Sequence, residues 1–343
     1  MRAMVLEELG PLEIGSTPLT MRELPDPRPG PKELLVRVAV CGVCHTELDE
    51  IEGRTPPADL PVILGHQVAG RVVALGEGAE RFTPGERVGI AWIFSACGEC
   101  HYCLSDRENL CPQFRATGRD APGGYAEYVC VPEAFAHPLP ESLSDQDVAP
   151  LLCAGAIGYR ALSLCALEDG QPLGLTGFGA SAHLVLQMVR HRFPASPVCV
   201  FARSAKQRAF ALELGADWAG GTEEAPPMKL QAVIDTTPAW MPLVAALGHL
   251  QPGGRLVINA ISKESTDKPS LLKLSYSRDL WQEKEIRSVA NITRRDVGDF
   301  LALAVEAGLR PEVKEYPLEE ANVALMELRY GSSRGARVLR IGP

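Results

Sequence analysis

The sequence, 343 residues long, contains no apolar run approaching the roughly 18 residues that a membrane-spanning helix needs, so hydropathy gives no reason to expect a membrane protein. Its opening, MRAMVLEELG, lacks the apolar stretch of a secretory leader, and a cytoplasmic chain is expected. Positive charge is not in excess. Lys and Arg number 34 against 43 Asp and Glu, a formal net charge of -9, which argues against a nucleic-acid partner. No internal repeat or low-complexity segment is present, so a solenoid or a disordered linker is not the answer. What is there has the composition of a globular protein, 46% hydrophobic and 22% charged, with enough length for two domains.

Ten cysteines in a reducing compartment point to metal binding or reactivity rather than to disulfides. Four of them, Cys97, Cys100, Cys103 and Cys111, fall within SACGECHYCLSDRENLCP (95–112). Three ligands at two-residue gaps and a fourth further on suit a single tetrahedral zinc ion in a closed, structural site. A ferredoxin-type run ends in the same Cys-Pro but has a shorter last gap, which makes an iron–sulfur cluster the weaker reading.

The chain divides by texture. Up to about residue 150, short apolar stretches such as LLVRVAV (34–40), VAGRVVAL (68–75) and YAEYVCV (125–131), punctuated by Gly and Pro, predict a twisted all-β body. From Leu173 strands and helices alternate: strands at 173–177, 198–202, 232–237 and 255–260, with helices at 180–190, 205–215 and around 240–250. That alternation predicts a parallel, doubly wound sheet. After about Ser288 one more helix (299–308) is expected, then a strand (336–341) returning to the first domain.

Within the second region, Gly177, Phe178, Gly179, Ala180, Ser181 and Ala182 spell G-x-G-x-x-A between a strand and a helix. Small residues there let backbone amides approach a pyrophosphate at the helix N-terminus, which predicts dinucleotide binding. The next strand ends in Phe201-Ala202-Arg203-Ser204, without the carboxylate that would hold a ribose 2'-hydroxyl. Arg203 and Ser204 suit a 2'-phosphate, so NADP(H) is favoured, with NAD(H) possible.

A last constellation comprises CGVCHT (41–46), GHQVAG (65–70) and LLCAG (151–155). Taken singly, Cys41 and Cys44 are buried thiols or a redox pair, and His66 and Cys153 are core residues or ligands. Together, in this order and with the four-cysteine run and GFGASA, they resemble the zinc-dependent medium-chain alcohol dehydrogenases, of the bacterial type related to cinnamyl alcohol dehydrogenases. The resemblance covers essentially the whole chain. It implies a GroES-like β domain (1–153 and 288–343) with two zinc sites, and a Rossmann domain (154–287).

The resemblance further implies that Cys44, His66 and Cys153 hold a catalytic zinc, that Cys41 is no ligand, and that the chain carries two zinc ions. Thr46 then takes the alcohol proton, His45 contacts the pyrophosphate, Trp92 lines the substrate pocket and Asn291 lies near the nicotinamide. A small alcohol or aldehyde is the implied substrate, and a homodimer or homotetramer the implied assembly. Three positions depart from the family pattern. Gln67 replaces the usual Glu; Asp49 stands where a relay histidine is often found, either a catalytic acceptor of the alcohol proton or a residue that merely faces water; and Ala336 falls where an arginine often is, with Arg334 and Arg337 alongside. Two other readings compete: reduction of conjugated enones with NADPH, and a non-catalytic dinucleotide sensor. The three intact ligands argue against the first, and the retained Thr46 against the second.

Overall fold

The computed structural model describes residues 1–331 and 335–342; Arg334 lies outside them. The chain forms two units. One comprises Met1–Ala156, Asn291–Val305 and Arg310–Pro343, the other Ile157–Ala290 with Glu306–Leu309. Each crossing falls a few residues after the boundary expected from the sequence.

The first unit is built on a seven-stranded sheet whose centre is the strand Glu33–Val43. Its alternation of buried and partly exposed residues follows the two-residue period of a pleated strand. Val68–Leu75 and Tyr128–Pro132 pair antiparallel with its early and middle part, and Ala336–Arg340 with its end, Val40–Val43. The C-terminal strand thus joins the first sheet, placing Arg337 opposite Val43, one residue before Cys44. The core beneath is aliphatic, with Leu34, Val36, Val38, Leu64, Val88 and Ile90 all fully buried.

The second unit is a six-stranded, all-parallel sheet in the order Trp218–Gly220, Val198–Phe201, Leu173–Thr176, Leu230–Asp235, Leu250–Ile258, Glu285–Ser288. In chain order this is 3-2-1-4-5-6, the doubly wound arrangement of a dinucleotide-binding fold. Leu173–Thr176 and Val198–Phe201 are buried at every position, as central parallel strands with both faces covered must be.

Two expectations need correction. Among the described residues beyond Ser288 there are two α-helices, Arg294–Glu306 and Ala321–Tyr330. The second is short and anchored by only Ala321, Ala324 and Leu325, a weak pattern to see in sequence. In addition, one helical run, Asp145–Cys165, reaches 21 residues and a mean hydropathy of 1.5, long and apolar enough to cross a membrane. Its most apolar window is 61% buried inside the fold, the environment of a core helix.

Candidate metal and coenzyme sites

The four cysteines of the 95–112 stretch come together on two short 3-10 turns, Cys103–Ser105 and Glu108–Leu110, and the chain around them. Cys97 Sγ lies 3.8 Å from Cys103 Sγ and 3.5 Å from Cys111 Sγ, and Cys100 Sγ lies 3.6 Å from Cys103 Sγ. Zinc–sulfur bonds of about 2.3 Å in a tetrahedron put the sulfurs about 3.8 Å apart, so the set fits one zinc ion. Backbone amides favour the thiolate form: Cys100 N–H donates to Cys97 Sγ at 3.4 Å, and Cys97 and Gln113 N–H donate to Cys111 Sγ at 3.4 and 3.3 Å. The Glu99 and Cys100 amides pull the Cys97 thiol down to about 6, while desolvation and shared hydrogen bonds push Cys103 up to about 12.

The second cluster lies elsewhere in the same unit. Cys44 follows the central strand directly and is the N-cap of the helix His45–Ile51, its sulfur accepting the Thr46 N–H at 3.4 Å. Cys153 sits on a wide π-type turn, Leu151–Gly155, inserted between two α-helical segments. His66 is 1% exposed, with Nε2 3.5 Å from Cys44 Sγ and 3.3 Å from Cys153 Sγ. Bonds of about 2.3 Å to sulfur and 2.05 Å to nitrogen predict about 3.6 Å for such pairs in a tetrahedral zinc site, so these residues also fit. Cys41 is buried outside this group.

Behind His66 stands a residue the sequence reading passed over. Glu47 is fully buried; its Oε2 accepts the Cys44 N–H at 2.8 Å, and its Oε1 lies 2.7 Å from His66 Nδ1. The second contact has the distance of an ion pair without the alignment of a hydrogen bond. One carboxylate therefore touches two of the three converging residues, the arrangement that fixes a ligand histidine's tautomer. The signal was present as Cys44-x-x-Glu47, a capping box with cysteine in the place of serine. Glu50, one helical turn on, is a second buried carboxylate, and desolvation and the charge of Glu47 raise its pKa well above the usual range.

Around this core, the Trp92 ring meets that of His66 edge-on at 6.3 Å and carries the Arg119 guanidinium 5.3 Å over its face. Gln67 is buried beside Gly42, where even a Cβ would collide with its side chain. Asp49 does not face water: it is 6% exposed and ion-paired with Arg54 at 2.5 Å. His45 is exposed. Partial desolvation and the charges of Arg337 and Arg329 lower its pKa, with Asp49 opposing. Arg337 rather than Ala336 is thus the basic residue near His45; it is buried, and its guanidinium donates to Glu327 O at 3.2 Å. Asn291, at the crossing between units in the chain, has φ +60° and a buried side-chain amide nitrogen without a partner among the described residues.

In the second unit, Gly177 has φ +76°, and a Cβ there would meet Thr236 Oγ1 at 2.8 Å, so only glycine makes this turn. Gly179 is the N-cap of the helix Ala180–Arg192, and a Cβ on it would point into open space, the cradle that a pyrophosphate needs. Ser181 Oγ accepts from Asn259 Nδ2 at 3.2 Å, and Ala182 packs into the core. Arg203 and Ser204 are exposed after the second strand. Arg208, which the motif did not reveal, folds back to donate to the carbonyls of Ala202 and Arg203 at 2.8 and 2.9 Å. Two guanidinium groups therefore belong to this loop.

Comparison with known proteins agrees with this architecture. Residues 30–141 match the alcohol dehydrogenase GroES-like domain. The chain is 44% identical to the "Probable alcohol dehydrogenase AdhA" of Mycobacterium tuberculosis, over 99% of this chain and 97% of that protein. It is 32% identical to an alcohol dehydrogenase of Geobacillus stearothermophilus, over 94% and 96% respectively. Among solved structures, an NAD-dependent alcohol dehydrogenase superposes with a TM-score of 0.86 at 27% identity, covering both chains fully. A cinnamyl alcohol dehydrogenase of Sorghum bicolor does so with a TM-score of 0.83 at 26% identity, over 99% of this chain and 97% of that one. With that sequence identity, this fold and two donor sets suited to zinc, the chain belongs to the zinc-dependent medium-chain alcohol dehydrogenase family.

Proposed function

We propose that this alcohol dehydrogenase works at a zinc ion held by Cys44, His66 and Cys153, and that it prefers NADP(H) to NAD(H). The observation that carries the reading is the convergence of one imidazole and two thiols on a single point, with a buried carboxylate behind the imidazole. Three protein ligands leave a tetrahedral ion one open position, whereas the four-cysteine set leaves none. When bound, zinc in such a site supplies a Lewis acid that acidifies an alcohol or polarises a carbonyl.

The remaining work falls to the chain. Glu47 keeps the proton on His66 Nδ1 and so leaves Nε2 free to bind the ion. Thr46, on the first helical turn after Cys44, offers the hydroxyl through which the substrate proton departs. Trp92 walls the substrate pocket beside His66. Asp49, held by Arg54, acts on His45 through its charge rather than as an open proton acceptor. The loop Gly177–Ala182 presents backbone amides for the pyrophosphate; His45, whose lowered pKa favours the neutral imidazole, serves the pyrophosphate as a hydrogen-bond partner rather than as a charge, and Asn291 serves the nicotinamide end. Arg203, Arg208 and Ser204 meet a 2'-phosphate, a role favoured by the absence of a carboxylate after Phe201.

Two further points belong to this reading. All ten cysteines are unpaired, which suits a cytoplasmic enzyme whose ligands must remain thiols. The edge strand Glu285–Ser288 exposes Ile286, and Leu272, Tyr276 and Trp281 on the preceding segment are exposed as well. An open strand edge beside apolar side chains fits a second copy of the same chain across a two-fold axis. Metal analysis together with turnover of alcohols and aldehydes with NADPH and NADH tests the proposal. Two zinc ions per chain and faster turnover with NADPH are expected; one zinc ion, or a preference for NADH, would overturn the corresponding part.

A further inference from the structure

The helix Arg294–Glu306 contacts the segment that leads into Cys111 at one point and the turn that carries Cys153 at another. Its start is defined by a capping box: Thr293 Oγ1 accepts the Asp296 N–H at 3.1 Å, and Asp296 Oδ2 accepts the Thr293 N–H at 2.8 Å. The first helical residue, Arg294, has an N–H with no partner inside the helix. Glu108 supplies one from far away in sequence. Its Oε1 accepts Arg294 N–H at 2.9 Å and Arg294 Nε at 3.1 Å, and the guanidinium also stacks 4.7 Å from the centre of the Phe135 ring. Glu108 is only 4% exposed. It opens the 3-10 turn that leads into Cys111, whose N–H donates to Glu108 O at 3.0 Å.

Further along the same helix, Phe300 is fully buried against Gly155. A Cβ at Gly155 would lie 2.3 Å from Phe300 Cε1 and Cζ, so the ring rests on bare backbone. Gly155 closes the wide turn that carries Cys153. The contacts therefore run unbroken from the four-cysteine lobe, through Glu108 and Arg294, along the helix to Phe300, and from Gly155 to Cys153. Packed interiors transmit displacement because they contain little free space. Metal–ligand distances tolerate only about 0.2 Å, so a small shift of this helix would reach the Cys153 sulfur as lost affinity.

We propose that Glu108 and Phe300 are positioning residues through which the four-cysteine lobe holds Cys153 in place. The lobe does not merely staple its own loop; it anchors one ligand of the other metal. This rests on the reading that Cys153 binds the second ion. The helix cannot slide along its axis without breaking the Glu108 contact, nor approach the turn more closely than Phe300 and Gly155 allow.

The test measures metal release from the full-length, zinc-loaded protein to an excess of chelator, with cobalt substitution at the Cys44, His66 and Cys153 site to report its geometry. Glu108→Ala should speed release from that site about tenfold and shift its cobalt spectrum, the scale seen when support behind a ligand is lost. Release from the four-cysteine site should stay near the wild-type rate. Glu108→Gln, whose amide oxygen still accepts the Arg294 N–H, should recover most of the loss. Gly155→Ala should weaken the same site by displacing the Phe300 ring, and adding Phe300→Leu should restore part of it. Unchanged release and an unchanged cobalt spectrum in Glu108→Ala, with only thermal stability lowered, would overturn the proposal while leaving the Cys153 reading intact. A wild-type protein with a single zinc ion per chain would overturn both.

Discussion

Replacing Glu47 should weaken metal binding without a matching loss of fold stability. The carboxylate accepts the Cys44 N–H at 2.8 Å and lies 2.7 Å from His66 Nδ1. Glu47→Gln keeps one oxygen, which can serve the Cys44 amide or the imidazole but not both, and turns an NH2 donor toward the other. A hydrogen bond to a charged group is worth about 1.5–3 kcal/mol, so losing one predicts roughly tenfold to hundredfold weaker zinc at the mixed-ligand site. Stability should respond differently. Glu50, fully buried one helical turn away, is held toward its neutral form by desolvation and by the charge of Glu47; removing that charge eases the second of these and offsets part of the lost cap. Competition with a chelator gives the affinity, the four-cysteine site serves as internal control, and a thermal melt of the metal-free protein gives stability. Zinc affinity within twofold of wild type, or loss in equal measure at both sites, would refute the reasoning.

Three other outcomes follow from the same structure. Arg203→Ala should lower kcat/KM with NADPH by roughly tenfold to hundredfold at low salt and leave NADH nearly unchanged, because only the phosphorylated ribose offers a partner; an equal effect on both coenzymes would make the residue a general contact. Cys103→Ser should reduce the yield of folded protein and its retained zinc, since the lobe is ordered by its metal; a soluble variant of normal stability but no turnover would overturn the structural assignment. Ile286→Lys, placing a charge on the exposed edge strand, should shift sedimentation toward the monomer, and a wild type already monomeric would remove the basis for the second copy.

How much of this could be read in advance depended on how local each cause was. Four strands of the six-stranded sheet were legible because they are apolar runs alternating with helical segments; its third strand, Trp218–Gly220, and its edge strand, Glu285–Ser288, were too short to leave a pattern. The four cysteines were legible because their spacing alone can wrap an ion. His66 and Cys153 lie 87 positions apart, and no local rule joins them; only resemblance to a family did so. Pro150 and Gly155 look like breaks in a helix, yet the chain stays helical by opening into a wide turn between them, and that irregular turn presents Cys153.

The residues that resemblance left out are those whose roles depend on tertiary neighbours. Glu47 reads as a surface helix residue until the fold closes a histidine and a cysteine amide over it, and Glu108 as a loop charge until a helix from 186 positions away begins on its oxygen. Each places a buried carboxylate against a specific N–H or imidazole, an arrangement that would be costly without its partner. For these two residues, burial goes with a fixed partner. In this protein both positions lead to a sulfur: Glu47 directly to Cys44, and Glu108 to Cys111 on one side and, by way of Phe300, to Cys153 on the other.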